Sequence, residues 1–210
     1  MSSANSQYWN SIEQWSPTLF LVGGALLAGH AAVQGIEAFT TLTPPLDVFV
    51  TTGHLVALLG LVGLYPAIVD RSPRLVRGAT VVAAITLSGW AVMTGVRFLA
   101  VLGIIPSLSE VFPGVFFVFM LAMMVLTYAL FGVAALRANK DSRTIGLLVL
   151  APGALLLVLL VDSALTGASA VDGFVIGGGL ALSMLMLGYS LRTWRRPINR
   201  GAPAGQQTTG

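Results

Sequence analysis

The chain has 210 residues, of which 56% are hydrophobic and only 9% charged, with a formal net charge of +3. Soluble domains carry about 25% charged residues, so this composition excludes a water-solvated globular surface and points to a polytopic membrane protein. The complete lack of cysteine excludes disulfides, thiolate metal sites, iron–sulfur clusters and cysteine nucleophiles together.

The N-terminal stretch "MSSANSQYWNSIEQW" contains no Lys or Arg to form the positive region of a cleavable signal. The first apolar segment is therefore expected to persist as a helix. A spanning helix needs about 20 mostly apolar residues, and six segments qualify, roughly 17–39, 46–69, 79–104, 113–136, 144–165 and 171–191. None shows the apolar–polar alternation of membrane barrel strands. The expected fold is all-α: a polytopic integral membrane bundle of six transmembrane helices over 17–191. A polar segment, 1–16, precedes it, and a basic then disordered tail, 192–210, follows it.

The breaks between spans are chemically marked. Pro44 and Pro45 in "TLTPPLD" end the first helix. "DRSPRLVRG", "IPSLSEVFPG", "RANKDSR" and "TGASAVDG" supply the later loops. "APG" at 151–153 places a bend in the fifth span. "GGG" at 177–179, with Gly24 and Ala28, suits close helix packing. "VDRSPRLVRGATVV" and "NKDSRTIGLLVL" echo one another, but inverted three-helix halves would put these loops on opposite sides. We read the echo as shared loop chemistry.

Charge gives the orientation. Arg71, Arg74 and Arg77 fall in the second loop, Arg137, Lys140 and Arg143 in the fourth, and Arg192, Arg195, Arg196 and Arg200 after the last span. The first, third and fifth loops have no basic residue. With six crossings every basic cluster shares a side with both termini, and positive loops stay inside. The expected location is the cell membrane, with the N- and C-termini cytoplasmic. Trp15, Trp194, Tyr65 and Tyr189 sit where interfacial anchors would. Basic residues placed in this way orient the chain, and no nucleic-acid partner is expected.

The informative residues are the polar ones inside the spans. His30, Gln34 and Glu37 share one helical face at i, i+4 and i+7. So do Asp47, Thr51 and His54 on the second span. Thr86, Trp90, Thr94 and Arg97 form one stripe on the third. By helical rise both histidines lie ~12–14 Å below the outer interface, Arg97 ~10 Å and Asp162 ~5 Å. These residues describe a polar cluster in the outer half, with dry packing beneath it. A charge at mid-bilayer costs at least ~2.5–3.5 kcal/mol. Arg97 is therefore expected to pair with Glu37 or Asp162, or to snorkel to the headgroups. Each histidine alone reads equally well as a core imidazole bonded to a neighbour.

Three functions are compatible with such a cluster. The first is binding or translocation of a small solute or protons through His30, Gln34, Glu37, Thr51, His54, Trp90, Thr94, Arg97 and Asp162, with the histidines as relays. The second is a redox protein holding haem b, or a directly bound metal ion, through His30 and His54. Two imidazoles and an iron hold backbones ~14 Å apart, however, whereas packed helices lie 8–10 Å apart. The third is an accessory or structural subunit that works in a homo-oligomer or beside a partner membrane subunit. The chain has no Gly-rich phosphate loop, Ser–His–Asp set or HExxH motif, which argues against an enzyme. The only lysine, Lys140, lies in a loop, which disfavours a retinal protein. Met120, Met123 and Met124 read as core filling rather than a thioether copper site.

Overall fold

The computed structural model describes residues 3–42, 48–69, 72–105, 111–138, 143–165, 167 and 169–200. The elements formed by these residues are all helices: α1 (Ser3–Phe39), α2 (Phe49–Val62), α3 (Tyr65–Val69), α4 (Pro73–Val101), α5 (Gly114–Ala138), α6 (Arg143–Leu165) and α7 (Ala170–Arg200). Five stretches are long and apolar enough to cross a bilayer: Gln14–Phe39 within α1, all of α4, α5 and α6, and Ala170–Thr193 within α7. The chain is thus a multi-pass membrane protein. Its apolar surface fits that solvent, because Val81, Ile85, Val92, Val118, Leu126, Val158 and Leu182 are all exposed on the helices.

The second apolar segment departs from the single helix expected over 46–69. It is split into α2 and α3 by a turn at Gly63 and Leu64. Pro66 is the physical reason. It has no N–H to give the Val62 carbonyl, and its ring crowds that turn. The backbone responds with tighter bonds, Leu64 N to Leu61 O and Ala67 N to Leu64 O. The other differences are at helix ends. Helix α1 starts well before Pro17, and Ser16 beside that proline is buried, with its Oγ donating to Gly60 O of α2 at 2.7 Å. Helix α4 starts at Pro73, a residue suited to a first helical position, so Arg74 and Arg77 are helical rather than looped. It stops at Gly103, whose φ of 71° only glycine adopts without strain. Helix α7 runs beyond 191 to Arg200. Its start is set by a reciprocal cap: Asp172 N–H donates to Ser169 Oγ, and Ser169 N–H donates to the Asp172 carboxylate. Asp47, Arg71, Ser109, Lys140 and the tail after Arg200 lie outside the described residues.

The helices form a closed ring in chain order. Helix α1 packs on α2, α2 on α4, α4 on α5, α5 on α6 and α6 on α7, and α7 returns to α1 through the most extensive contact of all. Glycines set the closest approaches, and their partners show that α1 runs antiparallel to both neighbours. A side chain at Gly24 would begin 3.0 Å from the Leu185 nitrogen, and one at Gly188 2.8 Å from Pro17 O. Gly23 and Gly53 face one another, each with its missing Cβ within 3.2 Å of the other's carbonyl oxygen. In a bilayer such backbone proximity replaces the hydrophobic drive that water would supply.

The two ends of the ring differ. Towards the end holding Arg74, Arg77, Arg137 and Arg143, the interior is filled by Phe20, Leu61, Phe131, Val149 and Leu187, all fully buried. Midway, Thr86 and Thr127 join α4 to α5 through a buried 3.0 Å hydroxyl pair. The Tyr128 hydroxyl is buried nearby on α5 without a partner among the described residues. Towards the opposite end the interior opens.

Candidate functional site

The opening is a cavity of about 130 Å³ on the ring axis. The five long helices and the shorter α2 all line it: α1 with Leu27 and His30, α2 with Val50 and His54, α4 with Trp90, α5 with Leu121, α6 with Leu156 and Leu159, and α7 with Ile176 and Gly177 among others. Among the described residues, His30, His54 and Trp90 are the only lining side chains that carry a polar atom. The cavity is therefore an apolar chamber with three nitrogen-bearing rings in its wall.

Local sequence explains how each ring comes to be there. Trp90 stands one helical turn beyond Thr86 on the buried face of α4 and is itself buried. His54 is buried at 3% exposure on α2, and its ring lies against Trp90 with centroids 4.9 Å apart. His30 is half-buried on α1 and packs towards α7, with its Cδ2 3.6 Å from the point where a Gly177 side chain would start. A larger residue at Gly177 would occupy the space that this imidazole faces.

The wall carries unmet hydrogen-bonding capacity. His54 Nδ1 and Trp90 Nε1 are buried without a partner among the described residues, and so is Thr94 Oγ1 one turn beyond Trp90. Most buried polar atoms are satisfied, and each exception calls for a reason. Leaving such an atom unpaired costs about 1–3 kcal/mol.

The remaining expected site residues lie around the chamber rather than in it. Gln34 is half-buried and its amide rests on Gly173, with Oε1 2.6 Å from the site of the missing Cβ. Thr51 is buried, but its hydroxyl turns back to its own helix and donates to Val48 O at 3.4 Å. Glu37 is exposed, whereas Arg97 and Asp162 are half-buried. None of these three lines the cavity. Each lies beyond a lining residue of its own helix, towards the α1–α2 end: Glu37 past His30, Arg97 past Trp90, and Asp162 past Leu159. By helical rise they stand ~5–10 Å further along their helices, outside the chamber.

The donor set does not suit the metal alternatives. Among the described residues no three His, Asp or Glu side chains gather as a metal-ligating group. A porphyrin far exceeds 130 Å³ and would have to displace the leucines of several helices. The apolar wall supplied by Leu27, Val50, Leu121, Leu156 and Ile176 was not legible in the sequence. These residues look like any other membrane-helix leucines, valines or isoleucines, and only the ring closure makes them a wall. Gly177 did carry a signal, as part of "GGG", but it pointed to packing.

Compared with protein-family models, with curated proteins and with solved structures, the chain finds no match.

Proposed function

We propose that this protein binds a small, largely apolar molecule in the axial cavity, as a receptor or accessory subunit rather than as a pore. The observation that carries the reading is the cavity itself: the five long helices and α2 all line it, and two of its lining residues bear buried nitrogens without a partner among the described residues. Pockets of this type are mostly apolar, with few polar groups to orient the ligand. The volume supports a ligand about the size of a benzene ring, since an apolar cavity of about 150 Å³ accommodates benzene.

Translocation is the weaker reading, because the side chains beneath the cavity form an apolar plug with no charged residue among them. In this reading α2 and α3 together make one crossing, although α2 alone rises only ~21 Å against a hydrocarbon core of ~30 Å. That gives six crossings in the cell membrane. Both termini are then cytoplasmic, and the cavity opens outward, with Glu37, Arg97 and Asp162 beyond it towards the exterior.

The test is thermal unfolding of the purified protein in detergent with toluene as the probe. Toluene should raise the melting temperature saturably, as any ligand of the folded state does. Leu159→Trp, which fills the cavity, should abolish the shift. An equal shift in both proteins, or none in either, would remove the cavity as a binding site.

A further inference from the structure

Given that the cavity is a ligand site, its wall specifies more than size. The two unpartnered nitrogens belong to rings in mutual contact, His54 and Trp90, at 3% and 7% exposure. Trp90 Nε1 is a donor only, so it requires an acceptor. A neutral imidazole offers one donor and one acceptor nitrogen. No partner among the described residues fixes a proton on His54 Nδ1, so a ligand that donates to that atom can select the tautomer in which it accepts. A single group that accepts from one neighbour and donates to the other is a hydroxyl. A carbonyl can only accept, and an ether likewise. A carboxylate is disfavoured on other grounds, because among the described residues no Lys or Arg lines the cavity to offset its desolvation. Apart from His30, the rest of the wall is aliphatic or glycine.

We propose that the ligand is a compact aromatic alcohol of the phenol class, whose hydroxyl accepts from Trp90 Nε1–H and donates to His54 Nδ1. The ring fills the aliphatic part of the chamber, and the hydroxyl sits where α2 meets α4. Recognition is thus divided. Four helices, α1, α5, α6 and α7, supply shape, while α2 and α4 supply the hydrogen bonds. His30 faces the chamber from the α7 side and is not needed for the hydroxyl.

The experiment compares phenol, toluene and cyclohexanone as probes by titration calorimetry on the detergent-solubilised full chain, with Leu159→Trp as the baseline for micelle partitioning. Phenol should bind about 5–10-fold more tightly than toluene, the worth of one net hydrogen bond, and also more tightly than cyclohexanone. Trp90→Phe and His54→Phe should each bring phenol down to the affinity that the same variant shows for toluene. His54→Phe keeps a ring of similar size, so it remains informative if Trp90→Phe folds poorly. Equal affinity for phenol and toluene would overturn the hydroxyl assignment but leave the cavity reading intact. Tighter binding of cyclohexanone than phenol would assign a carbonyl in its place and overturn it too. Failure of toluene and phenol alike would overturn the cavity reading itself.

Discussion

The rings of His54 and Trp90 meet at the cavity with centroids 4.9 Å apart and planes inclined by 55°, and neither His54 Nδ1 nor Trp90 Nε1 has a hydrogen-bond partner among the described residues. Helices α2 and α4 are thus joined here by ring contact, a kind of pair worth about 0.5–1.5 kcal/mol beyond area burial. Two donor-bearing rings placed together without partners are a poor design for stability and a reasonable one for binding. Sites retained for function commonly cost stability.

That trade-off is measurable. His54→Phe keeps the ring contact and removes a buried unpaired nitrogen. The ligand-free variant should melt at the parent temperature or higher, because the penalty of about 1–3 kcal/mol disappears. His54→Ala should melt lower, since it loses the ring as well. A clear drop in melting temperature for His54→Phe would show that the imidazole is engaged in a bond that stabilises the fold.

The glycines separate into two classes. Gly188→Ala places a Cβ 2.8 Å from Pro17 O and 3.0 Å from the Leu21 nitrogen, both backbone atoms that cannot move aside cheaply. It should destabilise the α1–α7 contact by about 1–3 kcal/mol, the usual cost of overpacking. Gly178→Ala meets nothing within 4 Å and should be neutral or slightly stabilising through helix propensity. Unfolding of both variants in mixed micelles checks the contrast. Equal effects would mean that the α1–α7 seam is looser than described here.

Thr86 and Thr127 test the value of a polar link inside the ring. Their hydroxyls are 3.0 Å apart, and each also has a carbonyl on its own helix, Val82 O at 2.8 Å and Met123 O at 2.7 Å. Neither is stranded when the other is replaced by Val. A double-mutant cycle should therefore give a coupling of ~0.6 kcal/mol, with ~1.7 as the upper range for membrane interiors. A coupling near zero would assign the stability of the α4–α5 seam to packing alone, through contacts such as Met120 over Gly89.

Orientation is tested by accessibility. Reporter tags at Met1 and Gly210 should both be cytoplasmic, and a tag near Ser109 should be exterior. A single cysteine introduced at Glu37 should then react with an impermeant reagent added outside, whereas one at Arg137 should not. Termini on opposite sides would refute six crossings and require α2 with α3 to turn back within the bilayer.

The sequence by itself determined the solvent and the secondary structure. Scarce charge and long apolar runs leave a helix as the structure for each segment, because hydrocarbon satisfies no backbone group from outside. It also placed the polar residues of three spans on single faces, since helical spacing is a local property. It did not reveal the break after Val62. Pro66 was visible there, but a proline inside a membrane helix can end it or merely kink it, as the unbroken helix around Pro152 shows. Nor could it separate His30, His54 and Trp90, which line the chamber, from Glu37, Arg97 and Asp162, which stand beyond it. Glu37 shares a face with His30, and Arg97 with Trp90, so only position along the axis divides them. Where along that axis the ring leaves a cavity depends on how closely neighbouring backbones approach, as at Gly23, Gly24, Gly53 and Gly188. Only the tertiary structure fixes those approaches, because a cavity is the space left between helices and belongs to no single one of them.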